Sequence, residues 1–276
     1  MSNEHEEASG RESYLGKFRL DGKVALVTGG SRGIGKAIAL GLAEAGADII
    51  IASRKLPNLE AAAHEISQTG RRVLTVAANV RHLPEVDDLV QKSLGEFGRI
   101  DIVVNNAGTN PVFGSVFNVE EKAWDVIMGL NLKSYFFLSQ AVGKIMREKG
   151  GGTIINISSE DSVRPEVGLG VYSISKAGIN MLTQVLAQEW GQYNIRVNTI
   201  APGIVKTSFS VTLWENPVRA KVATDSTALG RLAESDDMVN AAIYLASDAS
   251  SYVTGQLLLI DGGHFTSVGT KLAEIG

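Results

Sequence analysis

The 276-residue chain contains no cysteine, which excludes disulfide bonds, thiolate nucleophiles and cysteine-ligated metals and fits a reducing compartment. Histidine is scarce: His5, His64, His82 and His264 are scattered, with no metal-ligand spacing, so no metal is expected. There is no block of lysine and arginine, and the net charge is -4, which argues against nucleic acid as a partner. No apolar run approaches the roughly 20 residues of a membrane-spanning helix, so no membrane partner is expected. The first 17 residues include Glu4, Glu6, Glu7 and Glu12 and have no apolar stretch. They read as a flexible tail rather than a signal peptide. The chain ends Glu274-Ile275-Gly276 instead of in a peroxisomal or ER-retention tripeptide, and a soluble cytoplasmic protein is the expectation. With 44% hydrophobic residues, six prolines and no break in composition, residues 18–276 are expected to form one domain.

What the chain does have is alternation. Short β-branched runs occur at 24–28, 48–52, 72–77, 100–104, 153–158, 195–200 and 256–260. Between them, stretches such as 35–45, 83–97, 120–148 and 172–191 carry apolar residues at spacings of three and four. Parallel neighbours need crossover connections, and right-handed crossovers pack back on the sheet, so the pattern predicts a doubly wound α/β domain with helices on both faces. Ligands in such folds bind outside the carboxyl ends of the strands, near the point where strand order reverses. The most distinctive local sequences fall there: a glycine turn after the first run, Asn105-Asn106-Ala107-Gly108 after the fourth, Ser158-Ser159 after the fifth and Pro202-Gly203 after the sixth.

The glycine turn is Thr28-Gly29-Gly30-Ser31-Arg32-Gly33-Ile34-Gly35, which follows an apolar strand and opens a helix. Free amides at such a helix start can meet a pyrophosphate. Gly29 permits the tight turn, Gly33 leaves room for phosphates, and Gly35 lets the helix approach the sheet. Ser31, Arg32 and Ile34 complete the expected cofactor contacts of this turn. The end of the second strand separates NAD from NADP, because an NAD site wants a carboxylate there for the ribose hydroxyls. This chain has Ala52-Ser53-Arg54-Lys55, with no acid to repel a 2′-phosphate. Arg54 and Arg32 offer paired donors to that phosphate, with Ser53 beside them, so NADP is the expected cofactor.

Tyr172 and Lys176 lie four apart in a helix-patterned stretch, so their side chains share a face. A phenol with a pKa of about 10 needs about 4 kcal/mol of differential stabilisation to be halved in protonation near neutral pH. A neighbouring ammonium and a positively charged nicotinamide are groups of the right sign. Tyr172 would donate a proton to a carbonyl oxygen during reduction and its phenolate would accept one during oxidation. Ser159 would hydrogen-bond the same oxygen, and Asn131, in the 120–148 helix, would hold a water joining Lys176 to solvent. Each residue has an ordinary structural role open to it, and joint order and spacing carry the argument.

In these motifs the chain resembles the short-chain dehydrogenase/reductase family over about residues 20–263. The resemblance rests on the 28–35 turn, Asn105-Asn106-Ala107-Gly108, Asn131, Ser159 thirteen residues before Tyr172, Lys176, Pro202-Gly203-Ile204-Val205-Lys206-Thr207 and Asp261-Gly262-Gly263. It implies a Rossmann-like, seven-stranded domain, hydride transfer from a nicotinamide, and an Asn-Ser-Tyr-Lys tetrad in the roles just given. It further implies cofactor contacts from Asn106, Ala107, Gly108, Tyr172, Pro202, Gly203, Val205 and Thr207, with Lys176 on the nicotinamide ribose and Thr207 and the 204–205 backbone on the carboxamide. Asn79-Val80 stands where many members carry Asp-Val against the adenine, and an asparagine oxygen can still accept from the adenine amine. Asn110 to Ser115, Ala52 to Lys55, and Lys206 to Ser210 with Leu213-Trp214 look like the NADPH-dependent carbonyl/retinol reductases of the family. Members usually form tetramers, and Met181, Leu182, Val185, Leu186, Tyr135, Phe136, Phe137 and Leu138 make two helices apolar on broad faces, so a homotetramer is expected.

Segments 109–117, 160–171 and a substrate loop at about 207–229 should border the nicotinamide. They contribute Val112, Phe113, Val163, Phe209, Leu213 and Trp214, which suggests an apolar cleft for a ketone, aldehyde or alcohol. Glu160 and Asp161, directly after Ser159, either face solvent or disfavour anionic substrates. Two other readings stand beside a carbonyl reductase: a 3-oxoacyl thioester reductase, which shares every motif, and a dinucleotide-binding sensor without catalysis.

Overall fold

A computed structural model describes residues 13–264, so the first twelve residues of the expected tail, His5 among them, and the C-terminal Glu274-Ile275-Gly276 lie outside the described residues. Within the described part, Gly16–Phe18 form a 3-10 turn, and the Phe18 ring lies 6.2 Å from that of Tyr244.

The seven apolar runs become seven strands: β1 Val24–Thr28, β2 Asp48–Ser53, β3 Val73–Ala77, β4 Ile102–Asn105, β5 Gly152–Ile157, β6 Ile195–Pro202 and β7 Leu257–Ile260. They form one sheet in the order β3-β2-β1-β4-β5-β6-β7, and every pairing is parallel. The expected single-domain doubly wound, Rossmann-like sheet is therefore present. Its apolar strands follow from burial on both faces. Ala25 and Val27 of β1 join Ile49 and Ile51 of β2 in one core, while Val24, Leu26, Ile50 and Ala52 point into the other.

Helices α1 Gly33–Glu44 and α2 Leu56–Ser67 cover the first face together with α9 Val239–Ala246. The second face is covered by α3 Leu83–Phe97, α5 Ser134–Glu148 and α6 Gly170–Trp190. The chain returns from β3 to β4 on the far side of β1, so strand order reverses between β1 and β4 and a crevice opens at their carboxyl ends.

The stretch expected as one helix over 120–148 is three pieces: α4 Glu121–Met128, a π-helical turn Gly129–Lys133, and α5. A π turn places an extra residue in the ladder and re-aims the side chains it carries. Asn131, in this turn, is fully buried.

A buried polar ladder sets α5 and α6 against the sheet. Asn105 Nδ2 donates to Ser139 Oγ (3.0 Å) and to Asn156 Oδ1 (2.9 Å), and Asn156 Nδ2 donates to Thr183 Oγ1 (2.9 Å). The Thr183 and Thr199 hydroxyls are 2.7 Å apart. Polar atoms in so apolar a core are costly unless paired, so this ladder strongly selects one register for α6. Segment 207–229 holds two short helices, α7 Val211–Trp214 and α8 Pro217–Asp225, and Leu229 N bonds Gly262 O at 3.0 Å.

Candidate active site

Thr28 is the knot of the first half of the site. Its hydroxyl accepts from Asn106 N (3.0 Å) and Ala107 N (3.2 Å), and Asn106 Nδ2 donates to Thr28 O at 2.9 Å. The glycine turn is thereby tied to the end of β4, with no room for side chains. A Cβ at Gly35 would lie 2.4 Å from Asn106 Nδ2 and 2.5 Å from Gly29 O, and one at Gly29, where φ is +66°, would lie 2.7 Å from Asn106 Nδ2. Gly33 has φ +53° and faces the Thr207 methyl, so β1 and the segment after β6 meet across the crevice. Arg32 caps α1 in extended conformation, and among the described residues no acceptor meets the backbone amides of Gly33 to Gly35. These amides, the missing Cβ atoms and the positive end of α1 are a donor set that suits a pyrophosphate.

At the end of β2, Ser53 is half-buried, and Arg54, like Arg32, is exposed. Among the described residues neither arginine has an ion-pair partner. Asn79 N donates to Glu85 Oε2 (2.7 Å), and Asn79 Oδ1 accepts from Arg81 N (3.3 Å), so the oxygen expected to read the adenine is also used in its own turn. Val80 is buried in the second core. Pro202 ends β6, Gly203 N donates to Ile260 O (2.9 Å), Val205 bridges Ala233, and Thr207 O accepts from Trp214 Nε1 at 3.0 Å.

The four residues of the expected tetrad converge at the carboxyl ends of β4 and β5. Lys176 Nζ lies 5.5 Å from the centre of the Tyr172 ring and donates to Ile157 O at 2.9 Å. A Cβ on Gly108 would sit 3.6 Å from Asn131 Oδ1 and 3.7 Å from Lys176 Nζ, which places the β4 loop between them. Asn131 Oδ1 accepts from Thr109 N (2.8 Å), and its Nδ2 donates to Thr109 O (3.0 Å) and Ser175 Oγ (3.1 Å). Both ends of the Asn131 amide thus clamp the loop at Thr109.

The electrostatics differ from the expectation on one point. The Tyr172 phenol is held well above its ordinary pKa, first by burial and then by the negative charge of Asp161, with a smaller push from Glu160, against a lowering contact from the Ser159 hydroxyl. Burial likewise pushes the Lys176 ammonium down to about 7, against the pull of Asp161. The protein alone thus keeps the phenol protonated, as a proton donor requires. A positive charge brought beside the phenol would lower its pKa further.

Several contributors could not be found from motif spacing. Ser159 Oγ donates to Asp161 Oδ2 (3.0 Å) and accepts from Asp161 N (3.2 Å). Glu160 is buried, with Oε2 2.8 Å from His264 Nδ1, and burial pushes its carboxyl up to about 6. Neither acid simply faces solvent. The visible sign was their position, two acids directly after Ser159. The Phe209 ring lies tilted against that of Tyr172 with centres 6.1 Å apart, while Phe113 and Val163 are exposed.

Among the described residues no group of three or more His, Cys, Asp or Glu side chains could hold a metal, and no helix is long and apolar enough to cross a membrane.

The family model for "Enoyl-(Acyl carrier protein) reductase" matches residues 29–264. The chain is 40% identical to "Dehydrogenase/reductase SDR family member 4" of Caenorhabditis elegans, over 89% of this chain and 96% of that protein. It is also 40% identical to 2-dehydro-3-deoxy-D-gluconate 5-dehydrogenase of Dickeya dadantii, over 90% of this chain and 98% of that protein. Among solved structures, gluconate 5-dehydrogenase from Burkholderia cenocepacia J2315, in complex with NADP and tartrate, superimposes with a TM-score of 0.89 at 35% identity, covering 93% of this chain and 100% of that one.

Proposed function

Because the chain belongs to the short-chain dehydrogenase/reductase family, we propose that it is an NADP-dependent oxidoreductase interconverting a ketone or aldehyde with an alcohol, Tyr172 being its general acid and base. The observation that carries this reading is the buried Tyr172 phenol beside the Ser159 hydroxyl, with Lys176 Nζ 5.5 Å from its ring, at the same end of the sheet as a glycine cradle no side chain can fill.

When bound, the nicotinamide supplies or accepts the hydride. The chain's own residues handle the proton and the geometry. Tyr172 Oη donates to the carbonyl oxygen in reduction and recovers the proton in oxidation. Ser159 Oγ carries one proton, now directed at Asp161, and turns it to the same oxygen to position it. Lys176, at about 7, can lend and regain a proton near neutral pH and so re-supply the phenol. Asn131 keeps the loop at Thr109 in place beside both. The exposed aromatic and aliphatic side chains at the rim support a small, apolar substrate.

The missing acid after β2 and the exposed Arg32 and Arg54 support NADP, and the B. cenocepacia relative holds NADP. A hydrogen bond to a charged group is worth about 1.5–3 kcal/mol, so kcat/KM should favour NADPH over NADH by about ten- to a hundredfold. Arg54→Ala should remove most of that preference. Steady-state rates on neutral aryl ketones with both cofactors decide it, and faster reduction with NADH at equal low concentration sinks the assignment.

A 3-oxoacyl thioester reductase, which shares every motif, is the second reading, and a ketoreductase assay on acyl-carrier substrates separates the two. A non-catalytic sensor has no use for Tyr172 placed over Lys176.

The oligomeric reading rests on the outer face of α4, α5 and α6. Leu182, Leu186, Tyr135 and Leu138 pack on the sheet, whereas Met181, Val185 and Phe136 are exposed along a groove of about 720 Å³. Such a face fits burial between copies in a homotetramer. Light scattering is expected to report about four chains' mass, and a monomer overturns this.

A further inference from the structure

We propose that Asp161 determines substrate specificity by charge, so that the site selects ketones and aldehydes with no anionic group near the carbonyl and rejects oxo acids. This deepens the reductase reading and rests on it for where the carbonyl sits.

Three observations carry the inference. The carboxylate of Asp161 is fastened to the Ser159 hydroxyl from both sides, Oγ donating to Oδ2 and the Asp161 amide donating back to Oγ. Its charge therefore lies on the group that must meet the substrate oxygen. The acid next to it is occupied elsewhere: Glu160 turns to His264, across 104 residues of sequence. Arg164, the nearest arginine in the same segment, reaches the His264 carbonyl (3.3 Å) rather than Asp161.

The surroundings offer an anion little compensation. The charges that bear on the Tyr172 phenol are acids, Asp161 and then Glu160, and the two charged groups that pull the Asp161 carboxyl down, His264 and Lys176, are each engaged elsewhere, His264 with Glu160. Lys176 donates to Ile157 O behind the phenol. Phe209 and the rim present apolar surface. A carboxylate bound beside the reacting carbonyl would be desolvated next to a like charge held half-buried, an arrangement that costs binding without any offsetting contact.

The test is a matched pair, 2-oxobutanoate and its methyl ester, reduced at about pH 8, above the ordinary carboxyl range. Intrinsic reactivity differs between the two, but it cancels when the acid-to-ester ratio of kcat/KM is compared between proteins. Asp161→Asn keeps an acceptor for Ser159 and removes the charge. It should raise that ratio at least tenfold, about 1.4 kcal/mol, while Asp161→Glu, which keeps the charge, should leave it within about threefold. An unchanged ratio in Asp161→Asn overturns the proposal.

Binding of the same pair to the NADPH-loaded wild-type protein, read by calorimetry, separates this proposal from the reductase reading. If the ester binds, the acid does not, and neither is reduced with either dinucleotide, the charge selection stands and the reductase reading falls. If the acid binds the wild-type protein as tightly as the ester, the charge selection falls whatever the turnover.

Discussion

Tyr172→Phe is expected to lower kcat for NADPH-linked ketone reduction by about 10²- to 10⁴-fold, the range that a positioned general acid contributes. The change removes one oxygen and keeps the ring that packs 6.1 Å from Phe209, so the substrate cleft should hold its shape. The phenol is buried, and burial raises its pKa above the ordinary value, so it is held as a proton donor. NADPH affinity should stay within about threefold of wild type, because the glycine cradle lies on β1 and α1, elements the substitution does not touch. Turnover measured beside the NADPH dissociation constant and the thermal midpoint separates the outcomes. A variant that keeps more than about a tenth of wild-type kcat would deny Tyr172 the general-acid role.

Gly35→Ala should act on the other half of the site. The added methyl would stand 2.4 Å from Asn106 Nδ2 and 2.5 Å from Gly29 O, and neither can retreat cheaply. Asn106 Nδ2 is engaged with Thr28 O, and Gly29 sits in a left-handed turn. Overpacking of this kind costs about 1–3 kcal/mol. For a chain of this size each kcal/mol lowers Tm by about 2–4 °C. NADPH affinity should weaken by at least about tenfold, since the α1 amides would be displaced from the phosphate position. Gly95→Ala is the control: it lies in α3 with nothing within 4 Å of the added carbon. It should raise stability by about 0.4–1 kcal/mol through unfolded-chain entropy and leave NADPH binding alone. Melting curves and titrations of both variants check this, and equal behaviour of the two would overturn the cradle.

The inner strands were legible because a parallel strand covered on both faces must be apolar throughout, as Asp48–Ser53 shows with Ile49, Ile50 and Ile51 in succession. The pairing of Tyr172 with Lys176 was legible because a helix places residues four apart on one face. The helix break at Gly129–Lys133 was not, since a continuous apolar period carries no mark of one extra residue.

The sequence by itself determined the order of strands and helices, the glycine turn and the spacing of Asn131, Ser159, Tyr172 and Lys176, because these depend on local period and steric demand. Only the tertiary structure decided how those groups are charged and partnered. Burial is the largest influence on the Tyr172 phenol and raises its pKa, whereas the sequence alone suggested only charges that would lower it. Asp161 faces Ser159, while Glu160 pairs with a histidine 104 residues away. Desolvation and long-range pairing depend on what packs around a group, and no window of the sequence contains that information.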